Sequence, residues 1–262
     1  MSVKQEVDII YKQLTDDLNH PYVNRILPKP FVDRDKLLVY YLLFQTRVDR
    51  KLAGIYAKSV MIAEVGLSTH EGMTVAKLTE KEEIKRRQLI ALSGDFYSAL
   101  YYYSLARNKD TQVVKWVAQA IQVFNIDKCR LYYPKRALGW SQAIEALGST
   151  ESALVSQIAS KLGLKHWIPV LSDFFLAKKL MKERQTAAAR TLQPFLNQYL
   201  QDLLKSDPGL FRENIEKEIL NSASRFKSSV EKAEKRTGKL AGLLAYLSDQ
   251  MHHYCSCMVE EG

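Results

Sequence analysis

Leu92-Ser93-Gly94-Asp95-Phe96-Tyr97-Ser98-Ala99-Leu100-Tyr101-Tyr102 is the stretch that decides the fold class. Leu89, Leu92, Phe96, Leu100 and Tyr103 recur every three or four residues, which is the period of one face of an α-helix. No proline interrupts the chain between Phe31 and Tyr133, so several long helices are permitted there. Working outward, Leu37, Tyr40, Tyr41, Phe44 and Val48 form a second helical stripe. Leu52, Ile55, Tyr56, Ile62 and Ala63 form a third, and Leu240, Leu243, Leu244, Leu247 and Met251 a fourth. Sustained period-two alternation and Asn-Gly or Asp-Gly hairpin turns are both missing. The chain reads as an all-α helical bundle.

Punctuation places the element ends. Asn19-His20-Pro21 closes a first short helix and opens a loop running to Pro30. Gly72 follows an apolar helix, and Asn108-Lys109-Asp110 separates two others. Tyr133-Pro134-Lys135 and Gly148-Ser149-Thr150 read as further breaks, with Ser149 or Thr150 capping the next helix. Asp33 and Asp35 read as helix N-terminal charges. Ser206-Asp207-Pro208-Gly209 is the strongest turn. It predicts a main helical domain over residues 1–206 and a C-terminal helical extension over 207–262, packed on it.

The 262 residues are 47% hydrophobic and 26% charged, enough to bury a core and too apolar for global disorder. The net charge of +9 favours anionic partners in general. However, the basic runs Lys77–Arg87 and Arg225–Lys239 are interleaved with glutamates, as in solvated helix faces with i,i+4 pairs. Nucleic-acid binding is not expected. Cys129, Cys255 and Cys257 form no disulfide framework, Met1 to Asp8 hold no signal-peptide pattern, and no apolar run reaches the length of a transmembrane segment. A cytoplasmic location is expected, peripheral to a membrane at most.

Chemistry is sparse. Magnesium-dependent diphosphate enzymes need clustered carboxylates, because that hard cation bridges phosphate oxygens to Asp or Glu. No helix here carries Asp at i, i+1 and i+4, and Asp16-Asp17 has no third carboxylate at the right spacing. Phosphate-binding glycine loops and a Gly-x-Ser-x-Gly elbow are absent. His252, His253, Cys255 and Cys257 match no standard zinc spacing, so no metal site is expected. Tyr101, Tyr102 and Tyr103 point in three directions on one helix, so some of them face a boundary. Tyr97 and Tyr101, at i,i+4, are the expected subunit interface.

Several segments carry a resemblance. Leu92–Tyr102, with Gly94-Asp95, resembles the helix after the first Asp-rich motif of trans-prenyl diphosphate synthases. Met61–Met73 is similar to the helix bearing that motif, but Ser68, Thr69, His70, Glu71 and Gly72 stand where the family has Asp-Asp-x-x-Asp. Ile168–Lys178 falls at the second Asp-rich motif and keeps, after Ser172, only Asp173, followed by Phe174 and Phe175. Leu27–Arg34 departs from the family's Gly-Lys-x-x-Arg-Pro core, and Arg86-Arg87 lie too close to Gly94-Asp95 to be its paired arginines. This combination resembles component I of the two-component heptaprenyl diphosphate synthases, most strongly over Leu37 to Arg107.

The resemblance implies the isoprenyl synthase bundle without its Asp-rich motifs, and a non-catalytic regulatory subunit inactive by itself. Its partner would be a catalytic component II that holds the Mg2+. Together the two chains would extend farnesyl diphosphate with isopentenyl diphosphate to a heptaprenyl chain for menaquinone. No cofactor is expected in this chain. Ile62, Val65 and Gly66 would line a tunnel for the growing prenyl chain and help set its length. A single-chain synthase using His70, Glu71 and Asp173 is disfavoured, since magnesium avoids imidazole. A helical adaptor unrelated to prenyl transfer is the alternative.

Overall fold

Ser2 opens the first helix with a capping box. Its hydroxyl accepts from the Gln5 amide N–H at 3.3 Å, and the Gln5 side chain accepts from the Ser2 N–H at 2.9 Å. The computed structural model describes residues 2–73, 78–132, 139–188, 198–234 and 238–260, and among these every regular element is helical. The helices are α1 (Val3–Asp17), α2 (Arg34–Gln45), α3 (Arg50–Glu71), α4 (Lys81–Arg107) and α5 (Thr111–Tyr132). They continue as α6 (Trp140–Lys161), α7 (Ile168–Ala188), α8 (Gln198–Ser206), α9 (Pro208–Glu234) and α10 (Ala241–Glu260).

Local chemistry sets many of the ends. The Asp33 carboxylate accepts from the N–H groups of Asp35 and Lys36 and starts α2; Asp49 caps α3 through the Leu52 N–H. Lys109 adopts φ 56°, which ends α4, and Asp110 then caps α5 through the Val113 N–H. Pro208 stands first in α9, where its missing N–H costs nothing, and Asp207 accepts from the Leu210 N–H.

The expected break at Gly148-Ser149-Thr150 is corrected: α6 runs through it without interruption. Thr150 Oγ1 donates to the Ala146 carbonyl and Ser152 Oγ to that of Gly148, so both hydroxyls are absorbed by their own helix. Gly148 serves packing instead. A Cβ there would lie 3.4 Å from Leu176 Cδ2 of α7. The expected break at Tyr133-Pro134-Lys135 lies outside the described residues.

The chain forms two compact units, Met1–Ala118 and Gln119–Gly262. The 206/207 turn lies inside the second unit, and α9 beyond it packs along α7. In the first unit α3 packs against α1, α2 and α4. Leu37, Val39, Tyr40, Leu43 and Phe44 of α2 and Val60, Ile62 and Val65 of α3 are shut away from solvent. A buried ion pair joins the same two helices: Lys36 Nζ lies 2.9 Å from Glu64 Oε2, and the Tyr40 hydroxyl donates to Glu64 Oε1. Burial pushes the Glu64 carboxyl above its ordinary value, although Lys36 and Tyr40 pull it down. In the second unit α7 packs against α6, α9 and α10. Its core includes Leu147, Leu176, Leu180, Leu200, Phe211 and Ile215.

Candidate functional site

The residues Ser68 to Gly72 end α3, and the first two turn their hydroxyls back onto the helix. Ser68 Oγ donates to the Val65 carbonyl at 3.1 Å, and Thr69 Oγ1 donates to the same oxygen at 2.7 Å. Gly72 caps the helix with its N–H on the Thr69 carbonyl at 3.0 Å. The His70 ring lies against Gly94 of α4, where a Cβ would meet it at 2.5 Å, and its Nε2 is 3.4 Å from Asp95 Oδ1. Gly94-Asp95 therefore acts as a seat for His70. The glycine makes room for the ring and the aspartate faces its nitrogen.

Ile62 and Val65 are fully buried. At Gly66 a Cβ would stand 3.4 Å from the Gly94 carbonyl oxygen and from Ser98 Oγ. At Gly66, expected to line a tunnel, α4 stands directly opposite, because two glycines let the helices cross closely. Gly66→Phe is accordingly expected to cost about 2–3 kcal/mol by overpacking. Thermal melting would show this as a fall of roughly 5–10 °C, while Gly66→Ala stays near the parent. An unchanged melting temperature for Gly66→Phe would mean open space at the crossing.

The second region lies on α7. Asp173 is held by Arg225 of α9, whose Nε donates to Asp173 Oδ1 at 2.8 Å. The Arg225 Nη2 group also donates to Glu218 Oε1 and Ser222 Oγ, which fixes the guanidinium. Burial pushes the Asp173 carboxyl up, and Arg225 opposes this. Ser172 Oγ donates to Ser152 Oγ at 3.2 Å. Phe174 and Phe175 point into the core, with rings 5.2 Å apart edge to face.

These donors do not suit magnesium. The first region offers an imidazole and the single carboxylate of Glu71, and the second offers one carboxylate already paired with an arginine that it shares with Glu218, where a hard cation wants several oxygens. Among the described residues no three His, Cys, Asp or Glu side chains converge on a possible metal position. At the C-terminal end, His253 Nε2 and Cys257 Sγ stand 3.6 Å apart as an i,i+4 pair.

The expected interface pair separates. Tyr97 is 1% exposed and belongs to the core of the first unit; Tyr101 is half-buried. The exposed face of α4 is the neighbouring row Leu92, Phe96, Ala99, Tyr103 and Ala106, with Leu92 63% and Tyr103 61% accessible. Their spacing of four and three residues is that of a helix-packing seam. Leu92, Phe96 and Tyr103 were legible as an apolar stripe, but periodicity does not say which side of the helix meets the core. Arg225 gave no local signal, because it lies 52 residues from Asp173.

Comparison with solved structures places this architecture among the prenyl synthases. A geranylgeranyl pyrophosphate synthetase from the archaeon Geoglobus acetivorans superposes with a TM-score of 0.60 at 12% identity, covering 97% of this chain and 99% of that one. A polyprenyl synthase from Caulobacter crescentus CB15, solved with calcium and isoprenyl diphosphate, gives 0.56 at 14% identity, covering 97% and 98%. At such identities the shared property is the trans-isoprenyl diphosphate synthase fold. The family model for heptaprenyl diphosphate synthase (HEPPP synthase) subunit 1 matches residues 20–233, and the chain belongs to that family. It is 31% identical over 127 residues to heptaprenyl diphosphate synthase component 1 of Geobacillus stearothermophilus. That match covers 48% of this chain and 56% of the relative, so the similarity spans just over half of the relative's length. No helix among the described residues is long and apolar enough to cross a membrane.

Proposed function

We propose that this chain is the non-catalytic regulatory subunit of a two-component heptaprenyl diphosphate synthase. The single observation that carries this reading is the state of the two motif regions. His70 is seated on Gly94 and Asp173 is tied up by Arg225, so neither region offers a diphosphate-bound magnesium its oxygen ligands. The metal ions, the ionising farnesyl diphosphate and the incoming isopentenyl diphosphate then belong to a catalytic component II that carries both Asp-rich motifs. The pair would deliver the heptaprenyl chain for menaquinone, with this subunit contributing to its length. Assay of this chain alone, of the catalytic chain alone and of the mixture tests the division of labour. Heptaprenyl product from the mixture only is expected, and elongation by this chain alone refutes it.

The exposed α4 seam supports the need for a partner, since aromatic and leucine side chains at helix-packing spacing gain from being covered. Leu92→Glu with Tyr103→Glu is expected to weaken association with component II at least tenfold, with the circular dichroism unchanged. Calorimetric titration measures it; equal affinity places the interface elsewhere.

A further inference from the structure

Asp95 stands on the flank of the exposed α4 seam. Leu92, Phe96, Ala99, Tyr103 and Ala106 are spaced by four and three residues, which are the a and d places of a heptad. In that register Asp95 and Tyr102 both take the g place, in line along one edge of the seam. The Asp95 side chain is 73% exposed. From Gln88 to Ala106 it is the only charged residue of the helix.

The fold positions this carboxylate and leaves room for a further partner. Gly94 is buried under the His70 ring, which pins α4 to the end of α3 directly beside Asp95. His70 Nε2 stands 3.4 Å from Asp95 Oδ1, beyond the about 2.7–2.9 Å of a charge-assisted hydrogen bond. Among the described residues it is the only ion-pair contact of Asp95. A carboxylate accepts from up to about four donors, so most of the capacity of this exposed group is turned to the outside.

Covering the seam takes water away from Asp95, and a desolvated carboxylate without a cation is strongly unfavourable. A second copy of the seam supplies no cation. With the helices parallel, the g place of one meets the e place five residues on in the other, which here is Leu100. With them antiparallel, g places face each other, and these hold Gln88, Asp95 and Tyr102. From this charge placement we infer that Asp95 selects the partner at the α4 seam: the helix that covers it belongs to a different chain and carries a lysine or arginine opposite Asp95. The inference rests on the reading of this chain as the partner of component II, which is then the occupant. Flanking charges of this kind set partner choice and orientation where an apolar seam by itself does not.

Calorimetric titration of the full chain into component II tests this with three substitutions at the one exposed position. Asp95→Asn is expected to weaken association about tenfold and Asp95→Lys roughly thirtyfold or more, with the circular dichroism unchanged, while Asp95→Glu stays within about threefold of the parent. The parent's affinity should also fall as salt is raised, and that of Asp95→Asn should fall less. Sedimentation of the chain by itself is expected to show no self-association through the seam. If Asp95→Asn and Asp95→Lys both bind like the parent, the inference is overturned, and loss of binding in Leu92→Glu with Tyr103→Glu then still keeps the seam as the interface. Equal losses in all three Asp95 variants, the mark of a structural role, overturn it as well. So does self-association that Leu92→Glu with Tyr103→Glu abolishes, since a second copy then covers the seam. A parent chain that does not bind component II at all overturns the subunit reading and the inference with it.

Discussion

Phe174→Ala is expected to lower the unfolding free energy by about 4 kcal/mol, the largest effect of any single truncation proposed for this chain. Phe174 is fully buried on α7. Its ring meets Phe175 at 5.2 Å, Phe226 of α9 at 6.2 Å and Tyr254 of α10 at 6.0 Å. Three helices converge on it, so none can move in to fill the void without leaving another. Urea denaturation should show a lower midpoint at an unchanged slope. A loss under about 1 kcal/mol would mean that the site collapses freely, against the packing described.

Lys36→Met is the second large effect. Removing one partner of a buried ion pair leaves the other charge uncompensated, typically at 3–5 kcal/mol. The Lys36 and Glu64 side chains are 10% and 11% exposed, so a loss of about 3 kcal/mol at pH 7 is expected. The deficit should shrink as pH falls. Burial already raises the Glu64 carboxyl, and Lys36 is the first influence lowering it. Without Lys36 it rises further. The folded state then binds a proton at a pH where the unfolded state does not. Stability linked to that proton is complete below the ordinary carboxyl value and is lost as pH rises through the folded one. Denaturation at pH 7 and pH 5 measures this; a deficit that widens at pH 5 contradicts it. Adding Glu64→Gln to Lys36→Met should recover most of the loss, since the amide oxygen still accepts the Tyr40 hydroxyl.

Much of the helix layout was legible in the sequence because helix ends are local events. Asp33 caps within three residues of itself, Gly72 ends α3, and Lys109 turns the chain after α4. The Gly148-Ser149-Thr150 break was misread for the complementary reason. Glycine and hydroxyl residues mark turns when alone, yet here Thr150 and Ser152 bond back to the helix and Gly148 fits under Leu176. Nothing within four residues distinguishes the two cases.

The candidate site divides the same way. Sequence by itself determined the helical class, the proline-free run of long helices and the absence of Asp-rich clusters, since each depends on residue identity and spacing. Tertiary structure alone decided which faces those helices bury. It turned Tyr97 inward and left Leu92 and Tyr103 outside, set Gly66 against Gly94, and brought Arg225 across 52 residues to pair with Asp173. The physical reason is that apolar period fixes a stripe on a helix, whereas burial and charge pairing depend on what packs against it.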